Sequence, residues 1–122
     1  MADDYTFPKS ERLQHGHQFR LVYDRGRRFP GRLLVLLVLD EPPAPPAARA
    51  VGVVTSRKVG NAVVRNRARR LLREAYRLNK HKLKSNLQIV LIARSAIREK
   101  KLAAVAAEVL GLCATAGILQ TP

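Results

Sequence analysis

Six arginines stand close together in the chain, at positions 65, 67, 69, 70, 73 and 77. A guanidinium is a planar fork of N–H donors that binds a phosphate through two parallel hydrogen bonds and can stack on an unpaired base. The preceding stretch "TSRKVGN" adds hydroxyls and cations beside the open N–H groups of a predicted helix N-terminus, which also attract anions. The chemistry that these residues favour is recognition of a polyanion.

An amphipathic helix is predicted to position these arginines. It follows the turn at Gly60 and Asn61, where Asn61 is a suitable N-cap. At about 100° per residue, one arc of this helix is apolar and carries Val64, Ala68, Leu71, Leu72, Ala75, Tyr76 and Leu78. The complementary arc carries Arg65, Asn66, Arg69, Arg70, Arg73 and Arg77, with Arg67 at its edge. We therefore expect a helix that packs on one side and is lined with guanidinium groups on the other.

An ordinary solvated face is the simplest alternative for this charge. Solvated faces usually mix signs at i, i+4 spacing, which gains a few tenths of a kcal/mol per pair. Here the same sign repeats at that spacing, at Arg65, Arg69, Arg73 and Arg77. Because this repulsion opposes folding without an internal benefit, the pattern favours a phosphate-binding face.

The charge of the chain supports the same interpretation. Its 122 residues hold 23 Lys and Arg against nine Asp and Glu, a net charge of +14. Residues 57 to 84 alone contain eleven basic residues and one acidic residue. Such a balance points to nucleic acid more often than to an anionic membrane. The aliphatic run 33–39 has seven residues and is too short to span a bilayer.

Protein-borne catalysis and metal binding find little support. The carboxylates are scattered, and the sequence has no Walker-type loop, no "GxGxxG" and no Cys/His cluster with zinc spacing. His15 and His17 are expected to be solvated. Cys113, the single cysteine, allows no internal disulfide and is expected in the core. The start "MADDYTFPKS" lacks the apolar segment of a secretory signal, so we expect a cytoplasmic protein.

The remaining segments predict one α+β domain over residues 16–119, after a mobile N-terminal arm at 1–15. A helix at about Gly16 to Arg25 precedes a short edge strand at "RRF" and an aliphatic strand that ends at Asp40. A proline-rich surface loop, 41–48, leads to the strand "RAVGVVTSRK", expected to pair antiparallel with the strand before it. After the arginine helix come a buried strand, "LQIVLIAR", and a helix, "EKKLAAVAAEVLGLC". The order α-β-β-β-α-β-α predicts one sheet covered by helices.

The stretch "TSRKVGNAVVRNRARRLLREAYR" resembles the signature of the bacterial ribonuclease P protein subunit, an Arg-Asn-Arg helix after a Gly-Asn-Ala-Val turn. The resemblance extends to "HQFRLVYDRG", "RAVGVV" and "LQIVLIAR", and covers roughly residues 12 to 112. It implies the accessory subunit of a ribozyme that removes the 5′ leader from precursor transfer RNA. The Mg²⁺-dependent chemistry would be carried by the RNA, and the protein would supply no catalytic residue and no metal site.

The resemblance also implies two contact regions. The catalytic RNA would bind Arg65, Asn66, Arg67, Arg69, Arg70 and Arg73. The single-stranded leader of the precursor would lie in a cleft formed by Phe19, Tyr23, Ser56, Arg57 and Lys58. Aromatic rings would stack on bases there, and cations would follow the RNA backbone. A monomer with one copy per RNA and no DNA partner is expected.

For the fold, the resemblance implies a mixed sheet of about four strands with a left-handed β-α-β crossover through the arginine helix, as in the ribosomal protein S5 domain 2-like fold. Two positions depart from the family pattern. Ala50 stands two residues before the strand glycine, where a basic residue is common, and Arg57 replaces the usual Lys. The first departure removes one cleft cation, and the second keeps the charge.

Three other functions remain open from the sequence. A ribosomal or other structured-RNA-binding protein of related fold would explain the charge and the helix equally well. A duplex-DNA reader would need a helix-turn-helix or dimer context, which the sequence does not provide. A protein-only nuclease would need a catalytic set of side chains.

Overall fold

The computed structural model describes residues 12–13, 16–40, 42 and 49–120. The α+β class and the order α-β-β-β-α-β-α are confirmed. In chain order the elements are α1 (Gly16–Arg25), β1 (Arg27–Pro30), β2 (Leu34–Asp40), β3 (Arg49–Val54), α2 (Ala62–Asn79), β4 (Leu87–Ala93) and α3 (Leu102–Ala116). Short 3₁₀ turns lie at Lys80–Lys82 and Ser95–Ile97. Most of the proline-rich loop 41–48 and of the N-terminal arm lies outside the described residues.

The strand order in the sheet is β1-β2-β4-β3, which corrects one prediction. β3 is not the neighbour of β2, because β4 lies between them, antiparallel to β2 and parallel to β3. The physical reason is burial: β2 and β4 are apolar on both faces and almost completely buried, as central strands must be, whereas β3 begins at Arg49 and contains Gly52. The chain therefore reaches β4 from β3 through α2. The left hand of this crossover stays a prediction.

Helices cover both faces of the sheet, and the alternation of side chains along β2 shows the division. Leu34, Leu36 and Val38 belong to the cluster that packs under α2 and α3. The intervening side chains Val35, Leu37 and Leu39 belong to a second cluster, with Val22 of α1. The arginine helix and the first helix therefore lie on opposite faces of the sheet.

α2 begins as the sequence predicts. Asn61 is its N-cap, and its Oδ1 accepts a hydrogen bond of 3.0 Å from the backbone N–H of Val64. Gly60 before it has a φ of +156°, and a Cβ there would come within 2.8 Å of the Val64 side chain, so only glycine fits this turn. The predicted apolar stripe is confirmed: Ala68, Leu72, Ala75 and Tyr76 are buried, and Val64, Leu71 and Leu78 are partly buried.

α3 begins at Leu102, three residues later than the pattern of charged and apolar residues predicts. Glu99 has a φ of +67°, which cannot continue into a right-handed helix, so residues 98–101 form a turn instead. At the other end the helix reaches Ala116 and stops at Gly117, whose φ is +74°. Cys113 lies fully buried on the inner side of α3, as expected, and this burial raises the pKa of its thiol to about 12.

Arg12 and Leu13 lie along the outer edge of β3. The backbone N–H of Leu13 donates to the carbonyl of Val51 at 2.9 Å, and the Leu13 side chain is buried with the α1 cluster. This short stretch extends the sheet beside β3 and brings Arg12 toward α2. Within the ranges that the structure describes, no helix is long and apolar enough to cross a bilayer.

Candidate nucleic-acid interface

The solvent side of α2 gathers the six residues predicted to bind catalytic RNA, hereafter the arginine face: Arg65, Asn66, Arg67, Arg69, Arg70 and Arg73. Arg70, Arg73 and Asn66 are exposed, and the other three are partly buried. A shallow groove runs along this face, lined by Val63, Asn66, Arg69, Arg70 and Arg73. Val63 is 76% exposed, so an apolar contact stands among the guanidinium groups. The predicted facing of the helix is confirmed.

The charge of the arginine face is not compensated by any carboxylate among the described residues. Among the described residues, no carboxylate forms an ion pair with Arg65, Arg69, Arg70 or Arg73. Partial burial, together with repulsion from Arg12 and Arg69, lowers the pKa of Arg73. A face evolved only for solvation would interleave carboxylates here. The folded protein instead holds like charges close together, and binding of an external anion would reduce the repulsion between them.

Arg77 lies outside this uncompensated set. Its Nη2 is 2.8 Å from the Oε2 of Glu74, and the hydrogen bond to Arg77 lowers the pKa of that carboxyl. The single acidic residue of the helix therefore neutralises the arginine at its C-terminal end. The uncompensated charge lies nearer the N-terminus.

Two arginines of the face are held in place by protein acceptors. Arg69 donates from Nη2 to the Oδ1 of Asn66, which fixes its guanidinium over the groove. Arg67 donates from Nη2 to the backbone carbonyl of Lys100 at 2.6 Å, so one arm of its fork is occupied. By contrast, the Nε of Arg65 is buried without a hydrogen-bond partner among the described residues. The arginines of the face therefore differ in which of their N–H donors are already used within the protein and which can bind a phosphate.

Phe19 and Tyr23 of the predicted leader cleft occupy different environments. The Phe19 ring lies directly over Gly52 of β3, where an added Cβ would come within 2.3 Å of the ring Cε1. This close approach explains the glycine in the middle of a strand. Phe19 is partly buried, whereas Tyr23 is 45% exposed, and the remaining burial raises the pKa of its hydroxyl.

Ser56, Arg57 and Lys58 are exposed in the turn that joins β3 to α2. The backbone N–H of Val59 donates to the carbonyl of Ser56 at 3.0 Å and closes this turn. The carbonyl of Lys58 accepts a hydrogen bond of 3.1 Å from the hydroxyl of Ser95. β3 is therefore the common support of the predicted leader cleft, with Phe19 above its middle and the 56–58 turn at its C-terminal end.

Comparison with known proteins identifies the family. The model of the ribonuclease P family matches residues 7–117. The chain belongs to the bacterial ribonuclease P protein family. It is similar to the ribonuclease P protein component of Desulfovibrio desulfuricans, with 44% identity over 88% of this chain and 84% of that protein. It is also similar to the component of Clostridium novyi, with 38% identity over 90% of this chain and 96% of that protein.

Solved ribonuclease P proteins share the fold. The Staphylococcus aureus protein superposes with a TM-score of 0.79 at 22% identity, and the superposition covers 92% of this chain and 100% of the Staphylococcus aureus chain. The Thermotoga maritima protein superposes with a TM-score of 0.72 at 27% identity, covering 84% of this chain and 94% of that one. The chain is thus the accessory protein subunit of an endoribonuclease of transfer RNA 5′ processing, and the ribosomal alternative is not supported.

Ala50 shows how this ribonuclease P protein departs from the family pattern. Its side chain is buried in the α1 cluster, on the face of the sheet where Phe19 lies. A small apolar residue therefore stands where the resemblance implies a basic one, and it packs into the core. Among the residues predicted to form the cleft, the cations are Arg57 and Lys58 of the 56–58 turn.

Sequence reasoning missed two groups near this interface. The sequence predicts a mobile arm at Arg12, yet this residue lies near enough to Arg73 to lower its pKa. The sequence predicts that residues 99–101 begin a helix, yet they belong to a turn that contacts α2 through Arg67. In both cases the charged residues are evident in the sequence. Their contacts are not, because each contact joins residues that are far apart along the chain.

Proposed function

We propose that the arginine face binds the catalytic RNA of ribonuclease P and that the leader cleft binds the 5′ leader of precursor transfer RNA, in the cytoplasm, with one protein per RNA. The observation that carries this proposal is the uncompensated charge of α2, where Arg65, Arg69, Arg70 and Arg73 have no carboxylate partner among the described residues. Phosphates would supply the missing negative charge and remove the repulsion between neighbouring guanidinium groups.

The two regions suit different forms of RNA. A face of guanidinium forks on a rigid helix fits the fixed spacing of phosphates in a folded RNA. The leader cleft combines the Phe19 ring over β3 with the exposed cations of the 56–58 turn. This combination fits an extended single strand with little sequence preference. Because α1 and α2 lie on opposite faces of the sheet, both RNAs can bind at the same time.

The protein's role would be binding and orientation, and the Mg²⁺ used in cleavage would be held by the RNA. The described residues include no group of three or more His, Cys, Asp and Glu side chains placed to hold a metal ion. Of the two histidines of the N-terminal motif, His17 is exposed and His15 lies outside the described residues.

The leader assignment is tested by replacing Phe19 with Ala in the reconstituted holoenzyme. Loss of base stacking should weaken binding of precursor by about 1 to 3 kcal/mol, while mature transfer RNA, which has no leader, should bind nearly as before. Phe29→Ala is a matched control, since Phe29 is another partly buried phenylalanine but packs against the cluster under α2 and α3. An equal loss for precursor and mature RNA with Phe19→Ala would return Phe19 to a purely structural role.

A further inference from the structure

A groove beside the arginine face is not explained by the family's two contact regions. It lies between the first half of α2 and the segment that follows β4, and it has a volume of about 730 Å³. Val64 and Arg67 line it from α2, and Ser95, Arg98, Glu99 and Lys100 line it from the other side. Ligand sites in proteins have volumes of about 300 to 1,000 Å³.

The segment that forms the outer wall is anchored to the protein. Ile97 is fully buried, and the backbone N–H of Lys100 donates to its carbonyl at 3.1 Å. Side chains fix the segment at both ends: Ser95 donates to the carbonyl of Lys58, and Arg67 donates to the carbonyl of Lys100 at 2.6 Å. The turn Arg98–Lys101, hereafter the cationic turn, is therefore held at a defined distance from α2.

The lining of the groove suits a nucleotide. Arg98, Lys100 and Lys101 are exposed cations, against one carboxylate, Glu99, in the same turn. Val64 supplies a partly buried apolar surface between these charges. Cations around a small apolar contact match the phosphate and the sugar or base of one RNA residue.

We propose that the cationic turn and this groove hold a phosphate and its nucleotide of the catalytic RNA, as a second contact beside the arginine face. In this arrangement Arg98 and Lys100 contact the RNA, and Arg67 is a positioning residue that fixes the turn through the Lys100 carbonyl. This inference rests on the proposed function. The catalytic RNA is the occupant because the groove is built on α2, whereas Phe19 of the leader cleft lies on the opposite face of the sheet.

The test compares two double variants that each remove two positive charges. Arg98→Ala with Lys100→Ala removes the groove cations, and Arg25→Ala with Lys84→Ala removes two exposed cations at the other end of the sheet. All four side chains are exposed, so both proteins should fold, which far-ultraviolet circular dichroism checks. Binding of catalytic RNA is measured over a range of salt concentrations, and binding of precursor transfer RNA is measured on the holoenzyme.

The groove variant should bind catalytic RNA more weakly, with a log–log salt slope shallower by about 1.4 to 1.8, while the control changes it by less than about 0.5. Equal slopes for the two variants would overturn the inference and leave the proposed function intact. Loss of precursor binding alone would overturn the assignment to catalytic RNA. A wild-type protein that fails to bind catalytic RNA would instead overturn the proposed function.

The positioning role of Arg67 has a separate readout that involves no RNA. In the free protein, Arg67→Ala removes the bond to the Lys100 carbonyl, so trypsin should cut within the cationic turn several-fold faster. Arg70→Ala, which removes a neighbouring exposed arginine with no contact to the turn, should leave the cleavage rate unchanged. Equal cleavage rates in the two variants would overturn this role.

Discussion

Replacing Arg70 and Arg73 with Ala should make binding of catalytic RNA less sensitive to salt by a predictable amount. The arginine face carries five guanidinium groups, and Arg77, which pairs with Glu74 at 2.8 Å, is not counted among them. At about −0.7 to −0.9 per phosphate contact, five contacts give a slope of log affinity against log salt of about −3.5 to −4.5. The groove cations Arg98 and Lys100 would bring the wild-type slope to about −5 to −6. The double variant should lose about 1.4 to 1.8 of it.

The assay is equilibrium binding of fluorescently labelled catalytic RNA between about 50 and 200 mM monovalent salt, at constant Mg²⁺. Glu74→Ala with Arg77→Ala is the matched control, because it removes an ion pair on the same helix and leaves the net charge of +14 unchanged. Its slope should equal that of the wild type. A wild-type slope near −1, or the same slope with and without Arg70 and Arg73, would refute the assignment of phosphate contacts to this face.

Three further predictions concern the core and the cleft. Leu72→Ala should lower the free energy of unfolding, measured in urea, by about 2 to 5 kcal/mol, because Leu72 is fully buried. Arg70→Ala should change this free energy by no more than about 0.5 kcal/mol. Similar losses in the two variants would mean that the assigned buried and exposed sides of α2 are wrong. Gly52→Ala should displace the Phe19 ring and weaken binding of precursor but not of mature transfer RNA, and unchanged precursor affinity would contradict the cleft geometry. Cys113 has a pKa of about 12 when folded and an ordinary value of 9.0, so only the unfolded thiol ionises between these values. Stability should therefore fall as pH rises above 9, by roughly 1 kcal/mol between pH 9 and 10 relative to Cys113→Ala, and parallel pH curves would contradict its burial.

Local patterns in the sequence predicted the helices and strands well, because each pattern reports on the residues that form it. The N-cap at Asn61, the apolar stripe of α2 and the burial of β2 and β4 all follow from short-range periodicity. The start of α3 did not, since "EKK" suits the first turn of a helix but Glu99 adopts a positive φ. Propensity is a weak guide where a tertiary contact, here from Arg67 to the Lys100 carbonyl, holds the backbone.

The order of strands was the larger error, and its origin is physical. A strand that follows another across a short loop usually pairs with it, which predicts β3 beside β2. The competing factor is that β4 is apolar on both faces and must lie inside the sheet, which only the complete set of strands reveals. For the site, periodicity predicted which side of α2 is cationic. The approach of Arg12 to Arg73, and of the cationic turn to α2, depends on packing that no local pattern encodes.

The central place of β4 determines when this protein can fold during synthesis. β1 and β2 can pair as soon as Asp40 has left the ribosome, but β3 cannot pair with β4 until residues 87–93 are made. The pairing of β2 with β4 joins Leu34 to Ala93, a long-range contact of the kind that slows folding. A nascent chain that ends after α2 therefore leaves one edge of the apolar strand β2 open to aggregation, while the most basic part of the protein is already accessible to RNA.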